Sequence, residues 1–240
     1  MKGKIHNVLT ALFLMSALQL AGQKMEYGII GGMDVSAFRM SNTPGEKIGT
    51  SWVYNPVVGF NVNASAEYKN DTWGLSIEPG FIQKGGVQLF DYANFLSRNT
   101  INYHVVTRMN YLQLPLLYNI YFTDEFCLSV GGEYSYLMHA GSKVTKTPNS
   151  IDNTLVAFDS TQDQFDSKYI TNNFPNHHEL SGIVGFSYAI TDNVDVRLRY
   201  SYGATELATV SWMNQSGFVY SASHIRSHYL QVSLKYKLFY

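Results

Sequence analysis

The feature that most constrains this chain is an alternation of apolar and polar residues with period two, sustained over long segments and repeated along its length. From Val58, the residues Val58, Phe60, Val62, Ala64, Ala66 and Tyr68 fall on one side of an extended backbone. Gly59, Asn61, Asn63, Ser65 and Glu67 fall on the other. Successive side chains of a strand point to opposite faces, so this pattern is a β-strand with one greasy and one polar face. The next segment repeats it, with Trp73, Leu75, Ile77, Pro79 and Phe81 against Thr72, Gly74, Ser76, Glu78 and Gly80. The last sets Leu230, Val232, Leu234, Tyr236, Leu238 and Tyr240 against Gln231, Ser233, Lys235 and Lys237, with Tyr229 and Phe239 breaking the polar side. Noisier alternation marks residues 25–38, 110–122, 126–140, 178–190 and 194–204. Eight strands of about 11 to 16 residues are expected, longer than the 5 or 6 typical of soluble strands and suited to crossing a bilayer at a tilt. With 18 Tyr and 14 Phe beside 19 Gly and only 6 Pro, the composition also favours pleated structure.

The connections carry a second signal, because short and long ones alternate. Lys69-Asn70-Asp71, Thr123-Asp124-Glu125 and Thr191-Asp192-Asn193 are short and hold residues that tight turns favour. The long connections are expected over residues 39–52, 85–107, 141–177 and 205–224, all at one end of the strands. Outer-membrane barrels show this asymmetry, with short periplasmic turns and longer external loops. Both chain ends are then expected in the periplasm.

Lys2 and Lys4 precede an apolar run from Val8 to Leu20, followed by Ala21, Gly22 and Gln23. At about 13 residues the run is too short to span a bilayer as a helix, and the order of charged, apolar and small residues is that of a signal peptide. Residues 1–23 are therefore expected to be a signal peptide and residues 24–240 an outer-membrane β-barrel domain. Cys127 is the only cysteine, which excludes an intramolecular disulfide, and no Cys/His spacing suggests zinc. Lys and Arg number 17 against 18 Asp and Glu, so the chain as a whole has no basic field to hold nucleic acid.

A soluble closed barrel would show the same alternation with the greasy face inward. The composition of the polar face separates the two cases. It is rich in Gly, Ser and Asn with isolated charges, which suits a narrow lumen better than a solvated surface. Large aromatics near segment ends, among them Trp73, Phe81, Tyr118, Phe122, Tyr200 and Tyr236, match the girdles of a membrane interface. The expected fold is all-β: an eight-stranded antiparallel up-and-down transmembrane β-barrel.

The polar face carries Asp34, Glu67, Glu78, Glu133, Glu179, Asp195, Arg197, Arg199, Lys235 and Lys237. Glu78, Glu133, Arg199 and Lys235 fall near mid-strand, so two acids and two bases are expected to meet at one level of the lumen. Isolated charges there are costly to desolvate, and Glu78, Glu133, Arg197, Arg199 and Lys235 are expected to form a paired network filling it. The alternative use of such charges is an ion path. The histidines, mostly near long connections, sit at no spacing that enforces a hydrolase site or a metal site. His177 and His178, being adjacent, should point to opposite faces. No catalytic residue, cofactor or metal is expected.

The stretch Tyr111-Leu112-Gln113-Leu114-Pro115-Leu116-Leu117, with Tyr121-Phe122, then Val130-Gly131-Gly132 and Tyr136-Leu137, resembles the PorT-like outer-membrane β-barrel proteins of Bacteroidota. That resemblance implies a barrel of about eight strands in the outer membrane, and an accessory place in type IX protein secretion. Pro115 cannot donate a ladder hydrogen bond, and a bulge is expected there. The functional expectation is a non-enzymatic outer-membrane protein in contact with lipid, whose external loops meet envelope or secretion-system proteins. The alternatives are a lipid- or peptide-modifying enzyme and a small channel.

Overall fold

Pleated segments that expose an apolar side to hydrocarbon must satisfy every backbone group within the sheet, which only a closed ring does. The computed structural model describes residues 24–41, 52–94, 99–149, 176–213 and 219–239. The expected signal peptide over residues 1–23 lies outside them. Eleven strands follow in chain order: β1 (Lys24–Ser41), β2 (Trp52–Asn55), β3 (Val57–Lys69), β4 (Trp73–Ile77), β5 (Gly80–Asn94), β6 (Asn99–Tyr121), β7 (Phe126–Asn149), β8 (His178–Thr191), β9 (Val194–Gly203), β10 (Ala208–Met213) and β11 (Val219–Phe239). All pairings between them are antiparallel. Pairing of β1 with both β3 and β11 closes the ring.

Three staves of the barrel are interrupted, which reduces eleven strands to eight staves. Pro56 separates β2 from β3, Glu78 and Pro79 separate β4 from β5, and residues 204–207 separate β9 from β10. Pro115 lies opposite the second interruption, since Ile77 pairs with Leu116 and Gly80 with Gln113. The missing Pro115 donor therefore faces a gap in the neighbouring stave, while its carbonyl accepts from the Glu78 amide at 3.0 Å. The bulge expected at Pro115 is instead a register shift between Asn110 and Tyr111. Gly59 serves a close approach: a Cβ there would lie 1.9 Å from the Gln83 carbonyl oxygen and 2.8 Å from Asp34 Oδ2.

Among the described residues, the expected long connections over residues 85–107 and 205–224 are largely strand. Residues 85–107 form the outer arms of a hairpin in which β5 pairs with β6 continuously from Gly80↔Gln113 to Asn94↔Asn99. The β6–β7 ladder likewise runs out to Thr100↔Asn149, and β2 adds to β5 through Trp52↔Phe90 to Asn55↔Val87. Glycines and polar residues break the hydrophobic alternation in these arms, which hides the strand. The rest of the loop expected over residues 141–177 lies mostly outside the described residues.

Burial places the faces. In β3 and β8 buried and exposed positions alternate along most of the strand. The exposed set is apolar, including Ile29, Met33, Val62, Leu116, Val184, Phe186, Val232 and Leu234. The buried set is polar, including Asn61, Asn63, Ser65, Ser129, Ser181 and Gln231. This inversion is unstable in water and suits a bilayer. No helix among the described residues is long and apolar enough to cross a membrane; the strands do so. Aromatic contacts ring the short-turn end, where Trp73 stacks on Tyr118 at 6.1 Å and Phe126 on Phe186 at 5.9 Å. Tyr134, Tyr136, Tyr200 and Tyr202 face outward nearer the hairpin end. Phe81 departs from the girdle expected of it, packing on Phe60 at 5.4 Å partway along its stave.

Candidate functional site

The inward residues of small and polar type leave just enough width for long side chains to reach across the barrel. These form three successive clusters between the short-turn end and the hairpin end. In the first, Lys235 of β11 binds Glu26 of β1 and, at 2.8 Å, Glu67 of β3. Glu67 also accepts from Asn119 Nδ2 at 2.7 Å and from the Tyr121 hydroxyl. Lys237 and Asp195 pair at 2.8 Å beside it. The gap left among these side chains at the mouth is about 20 Å³, room for roughly one water.

The second cluster is a fork. Arg199 grips both carboxylate oxygens of Glu78, and Arg197 Nη2 donates to Glu78 Oε1 at 2.8 Å. A two-point guanidinium contact fixes geometry as well as charge. Glu78 owes its reach to the break at Pro79, which stands it at the edge of an interrupted stave with its side chain wholly buried.

The third cluster surrounds Lys84, which is buried with its side chain fully covered. Its Nζ lies 2.9 Å from Glu133 Oε1 and 3.5 Å from Glu179 Oε2. The rings of Tyr229 and Tyr111 flank the ammonium at 4.7 and 5.1 Å, where their faces attract it. The Tyr229 hydroxyl donates to Glu133 and the Ser227 hydroxyl to Glu179, so each carboxylate has a neutral donor beside the cation. Asp34 is buried below this cluster, between Gly59 and Gln231 in register, and neither of its carboxylate oxygens has a hydrogen-bond partner.

Glu78, Glu133, Arg197, Arg199 and Lys235, the residues singled out from sequence, are all buried. They do not meet at one level as expected. Glu78 joins Arg197 and Arg199, Glu133 joins Lys84, and Lys235 joins Glu26 and Glu67. The tilt and stagger of the staves explain the difference, because equal distances from the strand ends do not give equal heights in a sheared barrel. Lys84 was missed because Phe81 and Ile82 are both apolar and Lys84 adjoins two glycines, which reads as a loop. Continuing the Gly80, Ile82, Lys84 alternation would have found it.

Above the third cluster the lumen is closed by apolar packing of Phe38, Ile82, Met109, Leu137, Leu207 and Ile225. Leu207 enters from the break between β9 and β10, anchored by its amide donating to the Ile225 carbonyl at 2.8 Å. The expectation of a polar inner face therefore fails at this end, where the inward positions of β1, β6, β7 and β11 turn greasy. Tyr229, an apparent flaw in the polar face of β11, is part of the same seam. Cys127 is buried near the short-turn mouth, its Sγ 3.6 Å from the Leu128 carbonyl. His177 and His178 do not diverge as expected of strand neighbours: His177 precedes β8, and both rings lie against Tyr136, at 6.1 and 5.4 Å. Among the described residues no group of three or more His, Cys, Asp or Glu is arranged to hold a metal.

Comparison with solved structures gives small outer-membrane barrels. Ail, the attachment invasion locus protein of Yersinia pestis, shares 11% identity over 90% of this chain and 99% of its own, with a TM-score of 0.42. Neisserial surface protein A shares 13% over 88% and 97%, at 0.43. OprG of Pseudomonas aeruginosa shares 13% over 91% and 98%, at 0.42. No curated protein sequence matches the chain. The profile of the outer membrane protein beta-barrel domain matches residues 19–209, most of the length over which the inside-out ring is built, and the chain belongs to that family.

Proposed function

We propose that this outer-membrane barrel is a non-conducting, non-catalytic platform that carries a β-sheet beyond the membrane for contact with other envelope or extracellular components. The observation that carries the reading is the length of β6 and β7, 23 and 24 residues. A membrane-crossing strand needs about 9 to 11 residues. The excess on β5, β6 and β7 lies at one end and stays paired as a sheet joined by β2. Loops and projections on a rigid barrel are where recognition concentrates. In this reading the hairpin end is extracellular, the short turns and both chain ends are periplasmic, and the barrel wall meets outer-membrane lipid. The partners are proteins, including those of a secretion system if the PorT-like resemblance extends to role, and nucleic acid is not among them.

Photocrosslinking in whole cells tests this. A photoreactive residue in place of His104, exposed on the projecting sheet, should give a discrete protein adduct that disappears when surface protein is shaved with protease. The same residue in place of Leu234, 55% exposed on the barrel wall, should give lipid adducts alone. Adducts of periplasmic proteins from position 104 would overturn the orientation, and lipid adducts alone from that position would overturn the platform.

A further inference from the structure

The outward face of the barrel changes character within one or two residues at the hairpin end. On β1 it runs Ile29, Met33 and Val35 and then meets Arg39. On β11 it runs Leu234, Val232 and Leu230 and then meets His228 and Arg226. Register sets Arg39 directly opposite Arg226, and His228 directly opposite Tyr202 of β9. Directly opposed side chains on one face of an antiparallel pair stand about 4.5 to 5.5 Å apart at Cβ, where like charges repel. Two arginines in register at the edge of a hydrocarbon belt concentrate positive charge that an anion would offset.

The protein supplies only part of that anion. Arg226 Nη2 reaches Glu206 at 3.5 Å, with both side chains more than a third exposed, a contact of little strength. Arg39 has no carboxylate against it among the described pairs; it lies over the Tyr202 ring at 5.6 Å and donates to the Tyr202 hydroxyl. That contact holds the guanidinium against the wall, and Arg39 stays exposed with further N–H donors to spare. The opposite edge of the barrel has the reverse character, with Asp71, Asp124, Glu125 and Asp192 at the short turns.

We propose that Arg39, Arg226 and His228, backed by Tyr202, form a binding site for the phosphate of a membrane lipid headgroup. A guanidinium pair binds a phosphate through several charge-assisted hydrogen bonds, and the greasy wall below (Val35, Leu230) receives the acyl chains of the same molecule. The position at the junction of belt and polar rim favours a lipid over a free anion. The assignment to the outer leaflet, and so to a phosphorylated glycolipid, rests on the orientation proposed above; the site itself does not.

The test uses the full barrel in phosphatidylcholine nanodiscs doped with diphosphorylated lipid A, with bound lipid counted by native mass spectrometry. Wild type should retain lipid A at least about tenfold more tightly than Arg39→Gln/Arg226→Gln, the loss expected when two charge-assisted contacts go. Enzymatically dephosphorylated lipid A should bind wild type no better than it binds the double variant. Lys69→Gln, at the other edge, should bind like wild type. Because both arginines face outward, the double variant should keep its heat-modifiable gel mobility and stay folded in phosphatidylcholine alone, where it loses the repulsion together with the surface contacts of Arg39 to Tyr202 and of Arg226 to Glu206. Equal lipid A binding by wild type and double variant would overturn the site. Displacement of lipid A by 10 mM inorganic phosphate would overturn the lipid assignment in favour of a small-anion site. Nanodiscs expose both leaflets equally, so a wrong orientation in cells would show in the crosslinking experiment and not here.

Discussion

Lys84 shows how single residues set the interior of this barrel. One ammonium faces Glu133 and Glu179, and two tyrosine rings complete its enclosure, so the cation is desolvated on every side. Removing one partner of such a group leaves buried charge uncompensated, which costs more than the pair itself contributes. Lys84→Met is therefore expected to destabilise the barrel by about 3 to 5 kcal/mol in urea titrations in detergent micelles, the range for a broken buried pair. Adding Glu133→Gln and Glu179→Gln should restore a large part of that loss, because the side chains keep their shape while the charge is removed. If the triple variant were less stable than Lys84→Met, the charge argument would fail. At this scale the sequence was readable where a charge sat alone among small polar residues of a clear alternation, as with Glu78, Arg197, Arg199 and Lys235. It was unreadable at Lys84 and Tyr229, where apolar residues occupy both faces and the phase of the alternation is lost.

At the scale of the element, period two was enough to find the membrane-crossing part of each stave, because hydrocarbon outside and a packed polar lumen inside impose opposite demands on neighbouring residues. Along the outer arms of β5, β6 and β7 the backbone pairing continues while the sequence loses its period-two alternation, and sequence reasoning reads loop. The break at Pro79 was equally hidden, since a proline inside an alternating segment is compatible with an edge, a bulge or a gap. The belt itself makes a quantitative prediction. Val62 is 52% exposed on the wall, between Phe60 and Ala64 on the same face. Val62→Arg should cost about 2 to 4 kcal/mol near the bilayer midplane, while Ser65→Ala on the inner face should fall within about 1 kcal/mol. Equilibrium folding into phospholipid vesicles measures both, and an unaffected Val62→Arg barrel would mean that this face does not meet lipid.

At the scale of the whole molecule, what the barrel can do follows from how its lumen is closed. An eight-stave ring is just wide enough for its own side chains. Here they close it four times over: at the Lys235 cluster, at the Glu78 fork, at Lys84 and at the apolar packing around Leu137 and Leu207. An ion crossing from one end to the other would have to displace paired charges and pass a greasy seam, each a barrier of several kcal/mol. The purified protein should accordingly show no stable ohmic conductance in planar bilayers. The order of the barriers makes the prediction sharper. Arg199→Ala removes one arm of the fork yet leaves Arg197 on Glu78, the clusters on either side and the seam, so this variant should lose stability without conducting. Opening a path should require loosening the seam as well, for example by adding Leu137→Ala and Leu207→Gly. Steady openings from the unmodified protein would mean that the clusters part readily, and a channel would then replace the platform as the function of this barrel.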